Sequence, residues 1–200
     1  AKESYQSTDP CDTARQILSS YERSFTPEKL LHRPGGSPKN VILCIGDGMG
    51  FGQVTLARLQ AMGPEGRLHM ERFPVQGMVW THAANNLVTD SAAAGTALAC
   101  GIKTTNKTIG QDPAGTAYMS LTEGAHLRHM KTGLIATSAI THATPASFAA
   151  HVKLRKQETD IAAQMVVSGI NVLFGGGRQF FLPTDHPEGK REDGCDLISQ

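Results

Sequence analysis

Short apolar runs and longer mixed stretches alternate along the chain. The runs that predict strands are 39–46, 76–83, 134–140 and 172–174. Runs 39–46 and 134–140 are mostly apolar, which is typical of strands buried on both faces of a sheet. Helices are predicted near 12–22, 51–62, 91–100, 121–131 and 157–168.

The alternation of strands and helices predicts an α/β fold with a mostly parallel central sheet and helices on both of its faces. Residues 1–38 are polar and contain several prolines and glycines, so we expect an N-terminal helix followed by a linker. The polar tail from Pro183 to Gln200 leaves a sheet edge uncovered. The fold is therefore expected to be incomplete as it stands, as in the first part of a larger protein.

Composition excludes several function classes. The 200 residues are 40% hydrophobic and 18% charged, with a formal net charge of +1, which is typical of a soluble globular domain. This mixed, nearly neutral charge gives no basis for binding nucleic acid, and no apolar run is long enough for a membrane span. The four cysteines form no CxxC pair, which argues against a thiolate zinc site, and a Cys11–Cys195 disulfide is left open.

The loop GDGMGFG at 46–52 follows the first predicted strand. Its glycine spacing does not fit the dinucleotide fingerprint G-x-G-x-x-G, because Phe51 or Gln53 stands where the third glycine belongs. A bare Asp47 would also repel a pyrophosphate, whereas an Asp47 that binds a divalent cation would help to attract phosphate. The alternative is that Asp47 only caps the following helix.

Asp90 and Ser91 precede a run of small residues, SAAAGTALAC, that predicts a helix ending before Gly101. Ser91 would lie at the helix N-terminus, where free amides and the dipole favour an anion. Its flanks, Thr89 and Ala93, lack the glycines of the Gly-x-Ser-x-Gly elbow, which argues against an α/β-hydrolase. Metal coordination is then the available route for activating the hydroxyl, and a plain N-cap is the alternative.

His142 and Thr144 are predicted on a turn just after the strand at 134–140. On an extended chain, alternate residues point the same way, so both side chains could face one cation. Arg155 is expected on the following helix, one turn beyond His151, where its guanidinium fork would match two phosphate oxygens. The alternatives are a structural histidine and an ordinary surface charge.

In this order, the stretches VILCIGDGMG, VTDSAAAGTA and THATPASFAAHVKLR resemble the alkaline phosphatase family, as does VLFGGGRQFF further along. The resemblance covers about 39–182 and implies that 39–200 is the N-terminal part of such a catalytic domain. It also implies that Ser91 is the nucleophile that becomes phosphoserine, that Asp90 orients an arginine, and that Arg155 is that arginine and clamps the phosphate.

The resemblance further implies two Zn²⁺ and one Mg²⁺. Asp47 matches the aspartate that bridges a zinc and the magnesium, Ser91 a zinc ligand, and Thr144 a magnesium ligand. His142 matches a third-metal position where members carry Asp or His. The remaining ligands are expected beyond residue 200, so the chain alone is expected to lack part of the site.

The function implied is metal-dependent hydrolysis of phosphate monoesters, with inorganic phosphate released, by a periplasmic or secreted enzyme. A homodimer is a further expectation. Two alternatives are a phosphodiesterase of the same superfamily and a non-catalytic fragment that binds metal or phosphate.

Overall fold

The computed structural model of the chain describes residues 38–199, so the helix predicted near 12–22 and Cys11 lie outside the described residues. The described chain falls into two compact units, one ending at Thr81 and the other beginning at His82. None of the helices in the described range is long and apolar enough to cross a membrane.

The smaller unit contains helix α1, Phe51–Met62, and a 3₁₀ turn, His69–Arg72. Helix α1 has the predicted bounds. It starts after Gly50 and ends at Gly63, whose φ of 74° is accessible mainly to glycine. Arg58 pairs with Glu71 at 3.4 Å and so ties the helix to the turn.

The strands predicted at 39–46 and 76–83 are not formed. Val41, Ile42 and Trp80 are exposed, and neither segment has a ladder partner among the described residues. An apolar run indicates only that a segment suits a sheet, because a strand is stabilised by hydrogen bonds to its neighbours. The local pattern was therefore insufficient in both places.

The larger unit contains a parallel pair of strands, β1 (Gly133–Ala139) and β2 (Val172–Gly176). Gly133 pairs with Val172 and Ile135 with Phe174, and the register then shifts before Ala139. Between the strands the chain forms two helices, α4 (Ala143–Ala146) and α5 (Glu158–Val167). A parallel pair joined through helices is the arrangement that the alternating pattern predicts.

Helix α2, Ser91–Cys100, has the predicted bounds, and Gly101 ends it in the left-handed conformation. Helix α3, Leu121–His126, is shorter than the predicted 121–131. The chain turns after Leu127, and His129 has a φ of 57°, which a helix cannot include.

The core beside β1 is built largely from alanines and a few larger side chains. Its buried members include Ala92, Ala143, Ala146, Ala149, Ala150, Ile109, Ile140, Ile161 and Met165. The small residues let α2 and α4 approach closely. A Cβ added at Gly95 of α2 would lie 2.6 Å from Ser147 Oγ, well inside van der Waals contact. The small residues after Ser91 thus bring its helix against the segment that follows β1.

Candidate active site

Asp90 and Ser91 form the N-terminus of α2. Asp90 is the N-cap, with extended backbone angles of −109° and 175°, and its Oδ1 accepts a hydrogen bond from the Ala93 amide at 3.0 Å. Ser91 is the first helical residue and is partly exposed. The alternative in which Ser91 is merely the N-cap is therefore wrong, because Asp90 fills that position.

The other oxygen of Asp90 is held from two distant segments. Its Oδ2 accepts the Lys107 amide at 3.1 Å and Nη1 of Arg155 at 3.2 Å. Partial burial by itself would raise the pKa of Asp90, but the Ala93 and Lys107 amides and the Arg155 guanidinium outweigh it and lower the pKa. Asp90 is thus a carboxylate at neutral pH, and its charge is neutralised by Arg155.

Arg155 contacts His142 as well as Asp90. Its Nη2 lies 2.8 Å from Nε2 of His142. Since a guanidinium can only donate, Nε2 accepts, and the imidazole is neutral with its proton on Nδ1. The three side chains form a row, Asp90–Arg155–His142, that the spacing along the chain did not reveal.

Arg155 is not on a helix, contrary to the prediction. It lies in a turn, because the antiparallel bridge between Ile109 and Val152 keeps the preceding chain extended and α5 starts only at Glu158. The same bridge brings the loop that contains Lys107 beside Arg155, and the Arg155 amide donates to the Lys107 carbonyl at 2.7 Å.

The turn predicted after β1 is present, but His142 and Thr144 do not alternate on an extended segment, so that part of the prediction is wrong. His142 is the N-cap of α4, and Thr144 lies within its single turn. The extended conformation ends with β1, because the chain bends there to place Ala143 and Ala146 in the core.

Asp47 lies in the smaller unit, in a tight turn where Gly48 has a φ of 70°. Asp47 is not the N-cap of α1, because Gly50 holds that position. Its predicted role as a metal ligand stays a prediction.

The predicted ligands of the larger unit do not by themselves fit a zinc centre. In its described part, residues 82–199, no three His, Cys, Asp or Glu side chains form a group that could hold a metal ion. The Nε2 of His142, one of the two nitrogens through which an imidazole can bind a metal, accepts from Arg155. A catalytic zinc needs about three protein ligands, so Ser91, His142 and Thr144 would need further donors.

Two residues that sequence reasoning missed connect the site. Lys107, with a left-handed φ of 74°, donates its amide to Asp90 and accepts the Arg155 amide. The Asn106 side chain accepts the Asp90 amide at 3.0 Å and donates to the Val88 carbonyl at 2.9 Å. The available signal was an asparagine in the turn-rich stretch TTNKT, since Asn side chains often bond to backbone groups.

A buried ion pair supports the same loop from the other side. His151 is nearly inaccessible, with Nε2 at 2.8 Å from Oε1 of Glu123 and Nδ1 at 2.8 Å from the Gly110 carbonyl. Burial alone would lower the pKa of His151, but Glu123 and Gly110 raise it. Burial alone would raise the pKa of Glu123, but His151 and Ser120 lower it. Both imidazole nitrogens face acceptors, so His151 is an imidazolium.

Comparisons with known proteins match most of the chain to one family. The family model described as alkaline phosphatase matches residues 38–200. The repressible alkaline phosphatase of Saccharomyces cerevisiae is 34% identical in an alignment of 205 positions that covers 92% of this chain and 35% of that protein. Alkaline phosphatase 4 of Bacillus subtilis is 41% identical in an alignment of 159 positions that covers 74% of this chain and 34% of that protein.

Solved structures of alkaline phosphatases also match this chain. Alkaline phosphatase from the Antarctic bacterium TAB5 is 38% identical, with a TM-score of 0.66 over 76% of this chain and 42% of that one. A His-to-Asp variant of the same enzyme, solved with Mg bound in its M3 site, has a TM-score of 0.63 at 38% identity over 73% of this chain and 40% of that one. The chain thus spans about a third to two-fifths of the length of these proteins.

Proposed function

Because the chain belongs to the alkaline phosphatase family, we propose that it supplies the nucleophile and the phosphate clamp for metal-dependent hydrolysis of phosphate monoesters. The reaction would pass through a phosphoserine at Ser91 and release inorganic phosphate. The family and the α/β class predicted from the motifs are confirmed. The observation that carries the proposal is the contact of Arg155 with Asp90, the residue directly before Ser91.

Ser91 is the proposed nucleophile. Its hydroxyl oxygen would attack phosphorus, the bond from phosphorus to the ester oxygen would break, and the alcohol would leave after taking up a proton. Water would then attack the phosphoserine, release phosphate and restore the hydroxyl. The first position of a ten-residue helix suits this chemistry, because the amides and dipole of α2 favour the negative charge that the phosphoryl group carries.

Arg155 is the proposed clamp. Asp90 and His142 each take one N–H, on different terminal nitrogens, and a guanidinium has five N–H groups. Each terminal nitrogen therefore keeps a second N–H for a phosphate oxygen. The two contacts also fix the plane of the fork, which reduces the entropy lost when phosphate binds.

The two zinc ions and the magnesium ion remain part of the proposal, with Asp47, Ser91, His142 and Thr144 as contributing ligands. The Mg-bound variant of the TAB5 enzyme supports metal dependence. Since the described residues 82–199 hold no complete ligand group, we assign no reaction step to a metal. Further donors are needed before a closed centre can form.

A clamp on the phosphoryl group favours monoesters over diesters, because the second ester group of a diester would compete with Arg155 for space and would remove one negative charge. A location outside the cytoplasm and a homodimer are proposed from the family alone. The first has indirect support in the name of one relative, the membrane-bound alkaline phosphatase of Bombyx mori. That protein is 32% identical in an alignment of 229 positions that covers 94% of this chain and 41% of that protein.

The test uses the full natural gene product, supplied with zinc and magnesium. We expect p-nitrophenyl phosphate to be hydrolysed faster than its bis-ester, and acid quenching to trap one phosphoserine that peptide mapping places at Ser91. Ser91→Ala should abolish the trapped phosphate, whereas Ser199→Ala, a change at an exposed serine whose hydroxyl donates to Asp196, should not. Preference for the bis-ester would favour the phosphodiesterase, and phosphate binding without phosphoserine would favour a non-catalytic module.

A further inference from the structure

Asn106 holds the chain that leads into the proposed nucleophile. Its side-chain amide bonds both to the Asp90 amide, at 3.0 Å, and to the Val88 carbonyl, at 2.9 Å. One planar group thus bridges the residues on either side of Thr89. Asn106 is itself fixed, since its backbone amide donates to Oδ1 of Asn85 at 3.0 Å.

The contact of the Asn106 side chain with the Asp90 amide takes the place of a capping group within helix α2 itself. In a capping box, a Glu or Gln at the third helical position accepts the amide of the N-cap residue. Helix α3 uses this arrangement, with Glu123 accepting the Ser120 amide at 2.6 Å. In α2 the third position is Ala93, which has no acceptor, and Asn106 accepts the Asp90 amide from sixteen residues away.

The use of Asn106 instead of a Glu in the first turn of α2 has an electrostatic consequence. A Glu in the first turn of α2 would place a second carboxylate at the end of the helix where a phosphoryl group is proposed to bind. The Asn106 amide satisfies the same backbone group without adding a charge. It also leaves the first turn of α2 with small side chains that fit the core, where Ala92 and Ala93 are buried.

We infer that Asn106 is a positioning residue for Ser91, an inference that rests on the function proposed above. It acts through the Val88–Asp90 segment and sets where α2 begins, and hence where the Ser91 oxygen stands relative to a phosphate held by Arg155. A displacement of about 1 Å can slow an enzymatic reaction by about a hundredfold. Loss of Asn106 should therefore slow attack by Ser91 more than it weakens phosphate binding.

The experiment compares Asn106→Ala and Asn106→Asp with the wild-type gene product in zinc and magnesium. Rapid quenching measures the rate of phosphoserine formation, and inorganic phosphate serves as a competitive inhibitor. We expect both variants to form phosphoserine about tenfold to a hundredfold more slowly. The inhibition constant for phosphate should stay within about threefold of wild type in Asn106→Ala and should rise further in Asn106→Asp, because the new carboxylate repels phosphate. Asn171→Ala is the matched control, because that side chain also accepts a backbone amide, from Thr132 at 3.1 Å.

Asn106→Asp keeps the size of the side chain and its acceptor for Asp90 but loses the donor to Val88, so it decides the question if Asn106→Ala fails to fold. Wild-type phosphorylation rates in a folded Asn106→Asp protein would overturn the inference. So would equal losses of phosphate affinity and rate in Asn106→Ala, which adds no charge, because equal losses indicate a general structural role. A wild-type protein that forms no phosphoserine would instead overturn the proposed function, and the inference with it.

Discussion

Replacement of Glu123 by Gln should remove a specific pH dependence of folding. In the wild-type chain, the Glu123 carboxylate accepts from Nε2 of His151 and from the Ser120 amide. A Gln side chain can turn its oxygen toward Ser120 and its NH₂ toward His151. Nε2 of His151 then accepts, Nδ1 still donates to the Gly110 carbonyl, and the imidazole becomes neutral. All four groups remain hydrogen-bonded without any charge.

The sign of the effect follows from the direction of the pKa shift. The pKa of His151 is raised above its ordinary value of 6.5, so the folded state keeps a proton that the unfolded state has already lost. The stabilisation by the pair is complete below about pH 6.5 and disappears as the pH rises through the folded-state pKa. Between these limits, the free energy of unfolding falls by about 1.4 kcal/mol per pH unit from this one group.

At acid pH the dependence has the opposite sign, because there the free energy of unfolding falls as the pH is lowered. The pKa of Glu123 is lowered from 4.5, so its contribution is present above that value and is lost as the pH falls through the folded-state pKa. The Cys100 thiol, whose pKa is raised to about 12 by burial and by the charge of Glu123, stays neutral through the range tested. In the unfolded state this thiol has its ordinary pKa of 9.0, so near pH 9 and above it also lowers the free energy of unfolding. That fall is shared by the wild type and Glu123→Gln, so the comparison between the two proteins isolates the His151 contribution.

Urea unfolding of the chain at half-unit steps from pH 6 to pH 9.5 measures the effect. We expect the wild-type free energy of unfolding to fall with pH relative to Glu123→Gln, with the two curves converging at high pH. Glu188→Gln is the matched control, because its partner Arg178 and the carboxylate are both mostly exposed, and its slope should equal that of the wild type. Parallel curves for wild type and Glu123→Gln would refute the imidazolium assignment. So would a Glu123→Gln protein more than about 3 kcal/mol less stable at pH 9, the cost expected of a broken buried pair.

Three further outcomes are expected. Gly95→Ala should lower the free energy of unfolding by about 1–3 kcal/mol, because the new Cβ would meet Ser147 Oγ at 2.6 Å. The control is Gly52→Ala, a helical position where a new Cβ has no atom within 4 Å, which should be neutral or stabilising by up to about 1 kcal/mol in the same urea assay. Equal losses of stability in the two variants would contradict the packing argument. Arg155→Lys should raise the inhibition constant for phosphate roughly tenfold, because one charge-assisted hydrogen bond is lost. The control Arg178→Lys, at an exposed arginine, should leave the constant unchanged. An unaltered constant in Arg155→Lys would argue against the clamp. Dialysis of the 200-residue chain should remove zinc to well below one equivalent by metal analysis, and stoichiometric retention with full activity would show that its own ligands suffice.

The sequence predicted helices best where their ends carried local signals. Helix α2 has its predicted bounds because Asp90 caps it and Gly101 ends it, and both signals lie next to the element they control. The segment 39–46 has an equally clear apolar pattern but forms no strand. A strand depends on partners elsewhere in the chain, and no signal within eight residues can supply them.

In the candidate site, too, features set by neighbouring residues were predicted from the sequence, and contacts between distant segments were not. Asp90 and Ser91 were predicted as neighbours at a helix N-terminus, and the structure places them there. The pairing of Arg155 with Asp90 was predicted only through the family resemblance, since 65 residues separate them. The part played by Lys107 was not predicted, because it depends on the backbone of a loop residue with a positive φ, and a lysine gives no sign of that conformation.

The charge on Asp90 shows why these distant contacts matter for the chemistry. An aspartate beside the proposed nucleophile would, taken alone, repel a phosphate ester. Here its carboxylate accepts two backbone amides and the Arg155 guanidinium, so the negative charge is already compensated before a substrate arrives. The amides of α2 and the outer N–H groups of Arg155 then leave a local excess of positive potential at Ser91. Capping by Asp90 and attraction of phosphate are compatible only because the loop around Lys107 brings these groups together.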